Sequence, residues 1–232
     1  MQRFLSIVLI LVLLTGCRAT GIRGFWDDVT LVEDDIRESE DRFAEFAEKA
    51  VAAPEEEALA ELDNLFDRLR GDTIAHWLYS EWCESAFYSA LSPCRNAALY
   101  SRAVEHIVSD SILPSDEAAP YIQKRDWMQL NRTGTRAVVP GVETTGSRTL
   151  VLVLDFSCPS CREALTTLGS NPDFAGMRHV AVCSGHSQVI DIPGWEFVFP
   201  DNFSSFFDIT MTPVYFVVSQ DGVVEQTYTP AL

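Results

Sequence analysis

The chain has 232 residues, 47% of them apolar, which is enough to form one large domain or two small ones. Its formal net charge of −17 excludes sequence-independent binding to nucleic acid and a basic patch for anionic lipid, because both need a basic surface. Six cysteines are too few for a small protein held together by disulfides, so their positions matter more than their number.

Residues 1–16 are predicted to be a lipoprotein signal peptide. Arg3 supplies a positive charge, an apolar run extends from Phe4 to Leu14, and Thr-Gly-Cys17 follows directly. Such a start is typical of a secretory signal and is too short to span a bilayer comfortably. Its ending resembles a bacterial lipobox, which implies that Cys17 becomes lipid-modified and N-terminal. We therefore expect an extracytoplasmic, periplasm-facing protein anchored to a bacterial membrane, where disulfides persist.

After a predicted tether at residues 17–30, helical spacing of apolar residues dominates residues 31–130. The first predicted helix has an apolar stripe made of Ile36, Phe43, Phe46, Ala47 and Ala50. Pro54 begins the second, three glutamates suit its first turn, and Gly71 ends it. Its apolar face is made of Leu59, Leu62, Leu65, Phe66 and Leu69.

Three more helices complete this predicted all-α bundle domain. Asp72 is expected to cap the third, and its apolar residues are Ile74, Trp77, Leu78, Trp82 and Phe87. Ser92-Pro93 predicts the start of the fourth, and the fifth is expected from Ser115 to about Leu130. Short connections between amphipathic helices favour a bundle.

The acidic residues are unevenly distributed. Residues 17–130 hold 24 acidic and 11 basic side chains, whereas residues 131–232 hold 10 and 5. The simplest interpretation of the acidic helices is a solvated face. The alternative is a docking surface for a basic partner.

From residue 131 onward the pattern becomes that of strands. The apolar run Thr149–Phe156 predicts a strand buried on both faces, and residues 179–183 and 195–199 predict two shorter ones. Residues 214–218 and 223–228 read as a hairpin with Asp-Gly in its turn. We therefore expect an α/β domain over residues 131–232.

Cys158-Pro-Ser-Cys161 directly follows the predicted buried strand and precedes a helical pattern. A helix N-terminus stabilises a thiolate and lowers the pKa of the cysteine that it receives. Spacing of three residues brings the second sulfur within reach of the first. One cysteine can then attack a disulfide and the other can resolve the mixed disulfide.

Met211-Thr212-Pro213 stands before the strand at 214–218, and together with the strand, cysteine pair and helix it resembles the thioredoxin fold. With the lipobox, the match is closest to the TlpA/ResA-like extracytoplasmic thiol–disulfide oxidoreductases. The resemblance implies that Cys158 is the nucleophile, that Cys161 is the resolving thiol, and that Pro213 is cis. Thr212 and Pro213 would line the substrate groove.

The same resemblance implies further properties of the protein. Its partners would be disulfide-containing or thiol proteins and an upstream redox donor, with no cofactor. The helical half resembles an uncharacterised N-terminal domain found in some Gram-negative lipoproteins. Asp155 and Glu163 are candidate proton shuttles because they flank the cysteine pair.

Three other cysteines leave alternatives open. Cys183-Ser-Gly-His186 could join the first pair in a tetrahedral zinc site, although Cys183 is also readable as a third redox thiol or as an inert buried residue. Cys83 and Cys94 lie too far apart for a disulfide if the third helix continues to Leu91, whereas an earlier end near Ser85 would permit one.

The favoured function is thiol–disulfide exchange at a membrane, without a bound metal. The competing interpretations are a static disulfide and a non-catalytic thioredoxin-like binding module.

Overall fold

The computed structural model describes residues 21–32, 35–110, 113–185 and 192–231. The predicted signal peptide, the lipidation site Cys17 and His186 lie outside the described residues, so these expectations stay predictions. Within the described ranges, no helix combines the length and apolar character needed to cross a membrane.

The N-terminal half contains the α-helices α1 to α5, and we refer to residues 21–130 as the helical region. The helices are α1 (Ile36–Ala52), α2 (Glu55–Leu69), α3 (Thr73–Cys83), α4 (Ala97–Ser109) and α5 (Ser115–Gln129). Asp72 caps α3 as predicted, with its carboxylate accepting hydrogen bonds from two backbone amides. Aromatic and aliphatic side chains from these helices enclose one apolar core.

The predicted tether is partly wrong, because its second half packs against the helices. Ile22 and Trp26 are fully buried in the helical core. The Trp26 ring lies 5.0 Å from that of Phe46, and Arg68 of α2 donates a 2.7 Å hydrogen bond to the Val29 carbonyl. The large apolar side chains of this segment explain its docking, since leaving them in water would be unfavourable.

The predicted apolar face of α3 is partly wrong, although Phe87, which follows the helix, is fully buried as expected. Ile74 and Trp77 are 71% and 48% exposed, while the buried stripe consists of Ala75, His76, Tyr79, Ser80 and Cys83. This stripe follows helical spacing. Its polar members are tolerated partly because Ser80 donates a 2.7 Å hydrogen bond to the backbone carbonyl of His76.

The fourth predicted helix begins later than the sequence suggested. A π-helical turn, Glu84–Tyr88, follows α3 directly, and Asn96 caps α4 by accepting hydrogen bonds from two backbone amides. The Ser92 hydroxyl instead donates to the Ala86 carbonyl. Residues 89–96 are therefore a connector, and this connector reaches the second half of the molecule.

The C-terminal half, residues 131–231, which we call the sheet region, contains five strands and one α-helix among its described residues. The strands are β1 (Thr149–Asp155), β2 (Arg178–Ser184), β3 (Trp195–Val198), β4 (Val214–Val218) and β5 (Val224–Pro230), and the helix is α6 (Pro159–Gly169). Their order in the sheet is β3-β2-β1-β4-β5. β1 and β3 pair parallel to β2, whereas β4 pairs antiparallel to β1 and β5.

Both faces of the central strand β1 are buried, as its apolar run predicted. Leu150, Leu152 and Leu154 pack towards α6 in one apolar cluster. Val151 and Val153 belong to a second cluster on the opposite face, together with Phe203 and Phe207. Because both faces of β1 are packed, the C-terminal end of the strand holds the residues that follow it, including Cys158, in a fixed position.

The helical and sheet regions are joined by polar contacts, of which the first is buried. The Tyr88 hydroxyl donates a 2.6 Å hydrogen bond to Asp208 Oδ2, and Trp127 Nε1 donates to the Ser204 carbonyl at 3.0 Å. Arg95 donates to the Tyr88 carbonyl and places a guanidinium nitrogen 4.0 Å from Met211 Sδ. These contacts fix the helical region next to the loop that precedes β4.

Candidate active site

Cys158 occupies the junction between β1 and α6. It is the N-cap residue of α6, and Pro159 takes the first helical position, where the missing amide hydrogen costs nothing. The side chain is half-buried, and its Sγ lies 2.9 Å from Ser160 Oγ. The sulfur therefore meets the free amides at the start of a helix while remaining partly open to solvent.

This placement lowers the pKa of the Cys158 thiol from 9.0 to about 7, mainly through the hydrogen bond with the Ser160 hydroxyl and next through the backbone amide of Cys161. Both groups stabilise the thiolate over the thiol. Close to neutral pH a substantial fraction of Cys158 is then nucleophilic thiolate.

Cys161 has the opposite environment. It lies on the first turns of α6, is fully buried and packs in the apolar cluster beneath β1. Burial raises the pKa of the Cys161 thiol, while its side chain is close enough to hydrogen-bond with Cys158. The pair thus consists of one accessible, acidic thiol and one protected thiol in contact with it.

Thr212 and Pro213 lie near this pair, because they line the same groove as Ser160. The Thr212–Pro213 peptide bond is cis, and Thr212 lies within hydrogen-bonding reach of the Cys161 thiol. A groove passes between α6 and the loop before β4. It is lined by Ser89, Ala90, Leu91, Ser160, Thr210, Met211, Thr212, Pro213, Pro230 and Ala231.

Asp155 and Glu163 differ in how they relate to the thiols. The Asp155 carboxylate accepts hydrogen bonds of 2.9 Å from both the amide and the hydroxyl of Ser157, and these bonds lower the pKa of Asp155. An aspartate held in this way is a weak base, which makes it poorly suited to take a proton from Cys161. Glu163 is exposed on α6.

Cys183 is the penultimate residue of β2, lies in the same apolar cluster as Cys161 and is fully buried. Burial raises the pKa of the Cys183 thiol to about 12. In the described ranges, no three histidine, cysteine or acidic side chains gather in a way that could hold a metal ion. The proposed fourth zinc ligand, His186, lies outside those ranges.

Cys83 and Cys94 are both buried and unpaired. The α-helix α3 ends at Cys83, but the π-helical turn that follows continues the helical run to Tyr88, which lies between the two ends considered from sequence, Ser85 and Leu91. Burial raises the pKa of both thiols. Neither is suited to disulfide chemistry in the folded protein.

Sequence reasoning missed several residues of the site. Ser160 lies inside the cysteine motif, and its hydroxyl at the helix start could have been recognised as a thiolate donor. Asp208 caps the short turn Ile209–Met211, a role that Asp-x-Thr spacing suggests, since Asp208 Oδ1 accepts from the Thr210 amide at 2.8 Å. No sequence signal marked Tyr88 or the connector, because their role depends on contact between distant regions.

Comparison with known proteins supports this fold. No protein-family model matches the sequence, and no curated protein matches it significantly. Among solved structures, the chain is similar to the crystal structure of a thioredoxin-like protein from Bacteroides caccae, with a TM-score of 0.71 and 15% sequence identity. The match covers 90% of this chain and 87% of that chain, which is more than the sheet region alone. The sheet region with its helix α6 has a thioredoxin-like fold.

Proposed function

We propose that the protein is a membrane-anchored thiol–disulfide oxidoreductase that acts through Cys158 and Cys161 on extracytoplasmic disulfides. The observation that carries the proposal is the arrangement of the two sulfurs. Cys158 is accessible at the start of α6, Cys161 is buried in contact with it, and Thr212, which precedes the cis Pro213, lies within hydrogen-bonding reach of Cys161. The anchoring at Cys17 rests on the lipobox in the sequence.

In the reductive direction, the Cys158 thiolate attacks one sulfur of a substrate disulfide. A bond forms between Cys158 and that sulfur, the substrate disulfide breaks, and the departing thiolate takes up a proton. Cys161 then loses its proton and attacks Cys158 Sγ, which releases the second substrate thiol. The substrate gains two electrons, the pair becomes a disulfide, and an upstream dithiol donor must reduce it again. Oxidation of a substrate dithiol follows the same steps in reverse.

The different environments of the two thiols suit this sequence. A substantial fraction of Cys158 is thiolate near neutral pH and can start the reaction, because its pKa is lowered to about 7. The protected Cys161 thiol, with its raised pKa, is inaccessible to a bulky substrate. It can react only with the neighbouring sulfur of Cys158.

A trapping experiment tests the proposal. In Cys161→Ser, a mixed disulfide formed through Cys158 cannot be resolved, so partner proteins should accumulate as adducts that a reducing agent releases. Cys158→Ser/Cys161→Ser is the matched control and should capture nothing. Absence of adducts, together with no disulfide exchange by the wild-type protein, would instead favour a non-catalytic binding module.

The membrane anchor is tested separately. Cys17→Ser should move the protein from the membrane fraction to the soluble fraction, since no acyl chain could then hold it. A Cys17→Ser variant that stays as firmly in the membrane fraction as the wild type would overturn the lipid anchor without affecting the redox proposal.

A further inference from the structure

The connector of the helical region forms one wall of the groove beside the cysteine pair. Ser89, Ala90 and Leu91 line this groove opposite the loop that carries Thr212 and Pro213. Ser160, whose hydroxyl lies 2.9 Å from Cys158 Sγ, lines it as well. A molecule that reacts with Cys158 and occupies the groove would therefore meet residues from both regions.

This wall is held in place from both sides. Tyr88, directly before it, is buried and bonded to Asp208, which caps the turn leading to the cis proline. Ala90 packs against the apolar cluster of the sheet region. Ser89 closes a turn, since its carbonyl accepts the Ser92 amide at 3.2 Å. The connector is thus preorganised, which reduces the entropic cost of binding against it.

The chemistry of the groove is neutral and largely apolar. The chain has 34 acidic and 17 basic residues, yet none of those that the structure describes lines this groove. Leu91 stands out because its side chain is 82% exposed at the groove's edge. A leucine in this position can gain contact area only when something apolar covers it.

We propose that Leu91 is a specificity-determining residue that contacts an apolar side chain next to the reacting cysteine of a peptide disulfide. The helical region would thereby select substrates for the chemistry of the sheet region. This inference rests on the proposed function. It adds no covalent step, because Leu91 acts only on the binding of the peptide that Cys158 attacks.

The test compares two oxidised peptides that are identical except for the residue beside the cysteine, which is Leu in one and Asn in the other. The rate constant for their reaction with the reduced protein is measured. The wild type should prefer the Leu peptide by about tenfold, as expected when two leucine side chains cover each other in part. Leu91→Asn should abolish this preference. Ile74→Asn, which changes an exposed residue on α3, should retain it.

A third substrate, the small neutral reagent dithiodipyridine, reports on the thiols without filling the groove. Leu91→Asn should react with it at the wild-type rate, which would show that the cysteine pair is intact. A wild type without preference for the Leu peptide, or a Leu91→Asn variant that keeps the preference, would overturn the role of Leu91 alone. A wild type that reacts with dithiodipyridine but with neither peptide would overturn both this role and the proposed function.

Discussion

Cys83 of the helical region and Cys158 of the sheet region have opposite properties. Cys83 is the last residue of α3 and is fully buried, whereas Cys158 stands before the first residue of α6 and is partly open to solvent. Burial raises the pKa of the Cys83 thiol, while the helix start and the Ser160 hydroxyl lower that of Cys158 to about 7. Placement on the fold therefore decides whether a cysteine can react.

The two regions also differ in what their packing contributes to the protein. The helical region packs aromatic side chains around one core and extends its connector to the groove. The sheet region holds the reactive sulfur at the end of a strand that is buried on both faces. We therefore expect substitutions in the helical core to change stability, and substitutions around Cys158 to change reactivity.

The largest effect is expected from the cysteines themselves. Cys158→Ser should abolish disulfide exchange, because a hydroxyl cannot replace the thiolate as nucleophile. Cys94→Ser, a change at a buried cysteine of the helical region, should retain exchange. A peptide disulfide assay measures both. Exchange that survives in Cys158→Ser would contradict the assignment of roles.

Trp26→Ala tests the docking of the segment that precedes the helices. The Trp26 side chain is fully buried, so its truncation should lower the free energy of unfolding by about 3–5 kcal/mol. Denaturant titration followed by circular dichroism measures this loss. A change within about 0.5 kcal/mol would instead support a tether that is free of the core.

Tyr88→Phe tests the link between the regions. Removing the hydroxyl leaves the buried Asp208 carboxylate without its 2.6 Å donor, which should cost about 1–3 kcal/mol. If the contact also positions the loop before Pro213, peptide exchange should slow while alkylation of Cys158 by a small reagent should not. An unchanged free energy of unfolding would show that the two regions are not coupled through this bond.

Ser160→Ala tests the cause of the acidity of Cys158. The wild-type alkylation rate should rise with pH to a midpoint of about 7, and the variant's midpoint should move towards the ordinary value of 9.0. Ser157→Ala is the control and should keep the wild-type midpoint, because the Ser157 hydroxyl bonds to Asp155.

The sign of the linked stability effect follows from the same shift. The folded pKa of Cys158 lies below its unfolded value, so the thiolate stabilises the reduced protein fully above pH 9.0 and this contribution is lost as the pH falls through about 7. If the pH midpoint of alkylation stays unchanged in Ser160→Ala, the Ser160 hydroxyl does not lower the pKa of Cys158.

The smallest effect is expected at Ile74, whose side chain is 71% exposed. Ile74→Ser should change the free energy of unfolding by less than about 0.5 kcal/mol. The same titration used for Trp26→Ala measures it. A loss of several kcal/mol would restore the sequence-based assignment of Ile74 to the buried face.

The exposed position of Ile74, which was expected on the buried face, illustrates why the sequence predicted the sheet region better than the helical region. The run Thr149–Asp155 and the Asp-Gly turn are local signals, and the observed strands follow them closely. Residues 73–83 are mostly apolar around the whole helix, so periodicity could not identify the buried face. The docking of Trp26 was hidden because it depends on tertiary contacts with α1 and α3.

The residues of the candidate site could likewise be predicted only where a local sequence motif contains them. Cys158, Cys161 and Pro213 belong to local motifs that fix their positions on the strand, the helix and the loop. Tyr88 and Leu91 carry no such motif, since their place beside the groove depends on how the two regions pack. Ser92-Pro93 led to the wrong prediction for the connector, because this pair is typical of a helix start, whereas α4 begins only at Ala97.

The reduction potential of the Cys158–Cys161 pair tests the central claim most directly. It is measured by equilibrating the protein with a series of thiol–disulfide buffers and quantifying the free thiols. Thiolate stabilisation at Cys158 favours the reduced form. We therefore expect a reduction potential above about −300 mV, in the range of disulfides that exchange. A potential well below that value would identify a structural disulfide and contradict the claim that this pair performs redox chemistry.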